Sequence, residues 1–257
     1  MKKNIVLKVA YDGTRYLGWQ KTNSGLSIEQ ELGKVLTRIL QHPIELQAAS
    51  RTDRGVHAEG QIVNFFSSKE EISLEKLLLG CNGLLPEDIR VLDVGFAPHP
   101  QFHPTLDAKA KCYYYRIATA RIPLPLWRHI AWHIPFSLDV ELMKRASTML
   151  IGTHDFASFR NQRKNQVHQD TIRTVDTIDI ASSEGALQIT ICGKNFLYKM
   201  VRNIVGALVY IGSEKMALAD LALLLEQPKR AAGAVTAPAH GLTLCKVYYD
   251  SPPFCHP

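Results

Sequence analysis

Ile5-Val6-Leu7-Lys8-Val9-Ala10-Tyr11 places apolar side chains at Ile5, Leu7, Val9 and Tyr11, the two-residue rhythm of a β-strand with one buried face. The rhythm then changes. From Ile28 the apolar residues fall at Leu32, Val35, Leu36, Ile39 and Leu40, one stripe of a helix, and Pro43 prevents its continuation. Ser27, with Gln30 three residues on, has the form of a capping box at that helix start. Strands are predicted at Ile44 to Ala49 and Gln61 to Ser67. A helix capped by Ser73 follows over Leu74 to Cys81, then a strand over Ile89 to Phe96. The order is β-α-β-β-α-β.

The second half repeats the theme. Strands are expected at Cys112 to Thr119, Ile172 to Ala181, Ala186 to Gly193 and Leu242 to Tyr249. Helices are expected at Leu138 to Leu150, Phe196 to Ile211 and Ala217 to Leu225. This predicts an α+β protein of two tandem ferredoxin-like (βαββαβ) units, each an antiparallel sheet covered by helices, flanking a central basic cleft. Pro98, Pro100 and Pro104 each remove a backbone donor and favour extended chain, which sets the expected units at residues 1–104 and 105–257.

The 257 residues carry 30 Lys plus Arg against 24 Asp plus Glu, a net charge of +6. The resulting pI of about 9.0 suits a polyanionic partner such as nucleic acid. The five cysteines, Cys81, Cys112, Cys192, Cys245 and Cys255, form no CxxC pair and are expected to be reduced and mostly buried. His57 and His103 lack partner ligands at diagnostic spacing, so no metal is expected. The start lacks the pattern of a signal peptide, and no apolar run reaches the ~18 residues of a membrane span, so a cytoplasmic protein without membrane contact is expected.

Chemistry concentrates in Arg51-Thr52-Asp53-Arg54-Gly55-Val56-His57-Ala58, which falls in the connection between the second and third predicted strands. Taken alone, Asp53 two residues before Gly55 is also what an ordinary surface turn would show. Over almost the whole chain, however, the sequence resembles the tRNA pseudouridine synthase A family. The resemblance is carried, in family order, by Tyr11-Asp12-Gly13-Thr14 with Gly18-Trp19-Gln20 and by Arg51-Thr52-Asp53 with Gly55-Val56-His57-Ala58 and Gly60-Gln61. It continues through Phe102-His103, Tyr113 and Tyr115, His154-Asp155-Phe156 with Ser158-Phe159-Arg160, Met200 to Gly206, and Ala237 to Leu242. The chain departs from the family at Ser50, where the family usually has Gly, and at Pro104-Thr105, where it commonly has Ala-Arg. With the second change, one phosphate-binding cation of the family is either missing or replaced by Lys109 or Lys111.

The resemblance implies an isomerase that breaks the glycosidic bond of a tRNA uridine, turns the base and joins C5 to the ribose, without any cofactor. Asp53 is then the reactive carboxylate, adding to C6 of the uracil or to C1′ of the sugar, or assisting base departure. Burial would disfavour its ionised form, so a nearby cation is required, and Arg202 takes that role by the motif. Arg202 falls on a stripe with Lys199, Asn203 and Gly206, which by spacing alone could equally be a solvated basic face. Tyr113 is assigned to stacking on the displaced uracil, although an aromatic strand run also fits Tyr113 to Tyr115. Arg51, Arg160 and Lys199 are candidate RNA contacts, with Arg15, Arg54, Lys109, Arg163, Lys164 and Arg173 as further cations. Asn161 to Gln166 is polar throughout and reads either as a mobile RNA-contacting loop or as a disordered segment. The family further implies the anticodon stem-loop at tRNA positions 38 to 40 as substrate and a homodimer as the enzyme. Two other readings fit the residues: a noncatalytic RNA-binding or RNA-chaperone protein on the same fold, and a small-molecule hydrolase pairing Asp53 with His57.

Overall fold

A computed structural model describes residues 2–69, 71–161, 170–228 and 235–255 of the chain. These residues form a mixed α+β protein with ten β-strands and five α-helices. Contacts divide it into two compact units, one of residues 1–110 together with 243–257 and the other of residues 111–242.

The first unit is built on β1 (Lys3–Tyr11), which pairs antiparallel with both β3 (His57–Ser67) and β4 (Ile89–Phe96). A short β2 (Gln47–Ala48) pairs antiparallel with the far part of β3. The predicted strand at Ile44 to Ala49 is thus reduced to two residues. On the edge away from β3, the Ala48 carbonyl accepts from the Thr105 hydroxyl at 2.7 Å. Helices α1 (Ile28–Leu40) and α2 (Leu74–Leu84) pack together, burying Ile28, Leu32, Leu36 and Leu40 from α1 and Leu77 and Cys81 from α2. Both start where their serines predict: Ser27 Oγ accepts from the Gln30 amide and Ser73 Oγ from the Lys76 amide, each at 3.3 Å. Only half of the expected capping box forms, because the Gln30 side-chain oxygen, Oε1, is buried without a partner among the described residues.

Strand β1 is buried on both faces rather than one, with Ile5, Val6 and Leu7 fully enclosed. Part of the cover is the proline segment that reads as a linker. The Asn4 side-chain amide donates to the carbonyls of Pro100 (3.2 Å) and Phe102 (3.0 Å), and Asn64 donates to Asn4 Oδ1 (2.8 Å) and Phe102 O (3.1 Å). These hydrogen bonds from buried amides fasten residues 97–105 to the first unit, which moves the boundary beyond residue 104. The last strand, β10 (Leu242–Tyr248), also differs from expectation. It runs parallel to β3, with Thr243 opposite His57 and Leu244 opposite Ala58, so residues 243–257 complete the first unit and the second does not extend to 257.

In the second unit β5 (Ala110–Ala118) pairs antiparallel with β9 (Ala186–Gly193), β9 with β8 (Ile172–Ser183) and β8 with β7 (Gly152–Asp155). The two-residue β6 (Trp132–His133) lies parallel to β5. Helix α3 (Val140–Leu150), capped by Asp139, packs on α4 (Met200–Gly212) and also touches α5 (Leu218–Glu226). Helix α4 is buried nearly all round, and Gly206 is required there: a Cβ would lie 1.6 Å from the Val235 carbonyl oxygen. The helix begins at Met200, not at Phe196 as predicted, because Lys199 sits in the left-handed region at φ 61°.

Cys112 and Cys192 form a disulfide, correcting the expectation of five reduced cysteines. Their register explains it: the two residues are direct cross-strand partners on β5 and β9, with Cα atoms 4.2 Å apart. Cys81 is buried, Cys245 half-buried and Cys255 exposed, so burial of the free cysteines is less general than expected.

Candidate active site

Asp53 lies in the loop between β2 and β3, as the strand order predicts, and is half-buried. Val56 N donates to Asp53 O at 3.1 Å, closing a turn in which Gly55 takes φ 77°. The first motif is the bed for this turn. Gly18 pairs with Asp53 in an isolated antiparallel bridge, and Trp19 N donates to Thr52 O at 3.0 Å. The Tyr11 hydroxyl and Thr52 Oγ1 are 2.7 Å apart. Glycine is obligatory at two places: a Cβ on Gly13 would lie 2.0 Å from Val56 O, and one on Gly18, at φ 104°, would lie 2.6 Å from Thr52 O. The Gly13 amide donates to His57 Nδ1 at 3.1 Å, Asp12 Oδ1 lies 3.1 Å from the same nitrogen, and His57 is buried, so this ring ties the first motif to the loop.

Gln61 fixes the loop's other side, accepting from the Ser50 amide at 3.1 Å and donating to the Ser50 carbonyl at 2.6 Å. Ser50 is not among the residues with positive φ, so serine fits where the family usually has glycine without backbone strain. The second departure is likewise accommodated: the Pro104 carbonyl accepts from the Tyr249 hydroxyl at 2.8 Å, while Thr105 binds Ala48 O. Arg51 and Arg54 are exposed on either side of Asp53. Arg15 pairs with Asp88 at 3.3 Å and Lys109 with Asp250 at 2.8 Å.

The remaining candidates belong to the second unit. Tyr113, on β5, is 7 % exposed and meets the Phe196 ring edge to face, with centroids 5.5 Å apart. Tyr115 is fully buried and donates to Pro238 O at 2.8 Å; a Cβ on Gly241 would come within 2.5 Å of its ring. Burial raises the Tyr115 phenol above its ordinary range, with the Arg202 charge opposing that shift. Arg202, half-buried on α4, donates through Nε to Ala237 O at 2.7 Å, and Ala237 N returns a bond to Arg202 O at 3.1 Å. Asn203 beside it is buried and donates to Phe159 O (2.8 Å) and Asn161 Oδ1 (2.9 Å), while accepting from the Thr236 hydroxyl (2.7 Å). One asparagine therefore ties three separate motifs together, a role that its place on the predicted basic stripe did not disclose.

Arg160 is half-buried and follows the 3-10 turn at Ala157 to Phe159. Lys199 is the N-cap of α4 and not a member of its helical face; its ammonium lies 5.2 Å from the Tyr198 ring centroid. Arg173 pairs with Asp170 at 3.6 Å. Arg163, Lys164 and the predicted loop beyond Asn161 lie outside the described residues. Among the described residues no cluster of three His, Cys, Asp or Glu side chains is arranged to hold a metal ion, and no helix is long and apolar enough to cross a membrane.

Residues 146–250 match the family described as tRNA pseudouridine synthase. Over 96% of its length the chain is 50% identical to tRNA pseudouridine synthase A 2 of Protochlamydia amoebophila, covering 94% of that protein. It is 39% identical to tRNA pseudouridine synthase A of Pelobacter propionicus, over 96% of this chain and 100% of that one. The same enzyme of Chlamydia felis is also 39% identical, over 99% and 96%. A solved Cbf5-Nop10-Gar1 complex aligns at TM-score 0.35 and 10% identity, over 80% of this chain and 45% of that one, too distant to carry an argument. An ordered carboxylate loop on an α+β scaffold, with these likenesses, defines an enzyme class: the pseudouridine synthases, which are isomerases. The chain belongs to the tRNA pseudouridine synthase A family, the one its motifs resemble.

Proposed function

We propose that this enzyme isomerises uridines at positions 38 to 40 of the tRNA anticodon stem-loop, with Asp53 as its nucleophile and no cofactor. The bond from C1′ to N1 of the base breaks and a bond from C1′ to C5 forms. The proton lost from C5 is balanced by one gained at N1, so nothing is oxidised or reduced. A carboxylate suits this exchange because it can add to an electron-poor ring carbon or sugar carbon and leave again.

The observation that carries the reading is the cradle around Asp53. Gly13, Gly18, Thr52 and Gln61 hold the turn through backbone approach and hydrogen bonds, which fixes a reactive group in place before substrate arrives. Tyr113 takes the stacking role for the displaced base, and Arg51, Arg160, Lys199 and Arg202 bind the RNA. The two units are read as ferredoxin-like, which the strand order β4-β1-β3-β2 in the first supports. A cytoplasmic homodimer completes the proposal, on family resemblance.

Asp53→Asn tests the central claim. It should abolish tritium release from tRNA labelled at uridine C5, by at least ~10³-fold, while tRNA binding persists. Undiminished release overturns the assignment of Asp53. Mapping pseudouridine in an unmodified transcript after incubation tests the position, and product confined to another stem-loop overturns that part.

A further inference from the structure

We propose that Lys111 is a substrate-anchoring cation that binds a backbone phosphate flanking the uridine being isomerised; this rests on the reading of Tyr113 as the base-stacking residue. Lys111 is 7 % exposed, and its ammonium makes no hydrogen bond or ion pair among the described residues. So enclosed a lysine stem leaves its ammonium available to an opposite charge that arrives with a ligand.

Its position shows which ligand. On β5 Lys111 and Tyr113 are two residues apart and share a face of the strand. Directly opposite Lys111 on β9 is Gly193, which adds no side chain beside the lysine stem; a Cβ there would lie 2.6 Å from Thr174 O and 3.2 Å from the Phe196 ring. That same Phe196 ring meets Tyr113. Lys111 and the aromatic pair that would receive a uracil are therefore on one strand face, about 7 Å apart along it, the scale that separates a base from its own phosphate. Burial lowers the ammonium's pKa only to about 8, so the charge is present at neutral pH. Lys109, the other cation near the Pro104-Thr105 departure, is exposed and already paired with Asp250.

The test couples protein and RNA. Lys111→Met keeps the stem and removes the charge, and a ligated tRNA carrying a methylphosphonate beside the mapped target uridine removes the phosphate charge. Each change alone should raise KM about tenfold with kcat little changed, and the two together should raise it no further than either alone. Lys111→Arg should restore most of the loss. Multiplicative effects, a loss confined to kcat, or full activity of wild-type enzyme on every flanking methylphosphonate would overturn the proposal, the last without depending on whether a variant folds. Asp53→Asn is read in parallel. If it retains tritium release while the Lys111 coupling appears, the Asp53 assignment fails and the Lys111 proposal stands.

Discussion

Gly18 shows how narrowly the candidate nucleophile is held. Its φ of 104° and the 2.6 Å gap between a hypothetical Cβ and Thr52 O mean that even alanine must displace the backbone next to Asp53. Gly18→Ala should therefore cost about 1–3 kcal/mol of stability and lower the rate of tritium release by at least tenfold, measured by thermal unfolding and single-turnover assay. A variant equally stable and equally active would show that the bridge is incidental. Lys111 gives a prediction of a different kind. Its folded pKa of about 8 lies below its ordinary 10.5 because burial disfavours the ammonium. Above 10.5 both folded and unfolded states are neutral there and the burial carries no penalty. As pH falls from 10.5 to 8 the unfolded chain gains the proton first, so stability is lost, by on the order of 3 kcal/mol. The stability advantage of Lys111→Met over the natural enzyme should widen across that window and level off below it, as followed by denaturant unfolding. An advantage independent of pH would contradict the burial. Spacing discloses neither the missing Cβ that matters at Gly18 nor the burial of Lys111, which only folding creates.

Elements were legible where a local signal sufficed. Ser27 and Ser73 mark helix starts because their hydroxyls accept from amides three residues on, and the alternation from Ala186 to Gly193 predicts β9 to the residue. Long-range events were not. The Ala48 carbonyl on the outer edge of β2 is taken by Thr105, 57 positions away, and β1 is covered on its second face by Phe102 and its neighbours. The loop holding Asp53 could be placed by strand order, whereas the glycines beneath it could be seen only as motif letters. Cys112 and Cys192 are 80 residues apart, and nothing local pairs them; strand register does. Closing so long a loop should stabilise the second unit by about 4 kcal/mol, so reductant should lower its thermal midpoint. Under denaturing conditions without reductant three thiols should react with an alkylating agent, and five after reduction; five in both cases would remove the bridge.

At the scale of the molecule, the first unit draws on both ends of the described chain. Leu244 is fully buried and Val247 nearly so on β10, Lys109 N donates to Tyr248 O at 2.8 Å, and Phe96 and Cys255 exchange backbone bonds at 3.1 and 2.8 Å. Deleting residues 243–257 should therefore destabilise the first unit by on the order of 5 kcal/mol and abolish pseudouridine formation. Retention of the native unfolding midpoint would mean that β10 is dispensable. The proline segment misled the reading of this boundary for a physical reason: Pro98, Pro100 and Pro104 do forbid regular pairing of their own nitrogens, but their carbonyls remain strong acceptors, and the Asn4 and Tyr249 side chains use those of Pro100 and Pro104.

The same arrangement sets an order of assembly during synthesis. Residues 111–242 are contiguous and leave the ribosome as one piece, whereas the first unit, although made earlier, waits for β10 to emerge after all of them. Until then the start of β3 at His57 and Ala58 offers an unfilled strand edge beside the Asp53 loop, open to pairing with other chains. The nascent chain thus carries an open edge beside the Asp53 loop, and β10, translated after residues 111–242, is the strand that closes it.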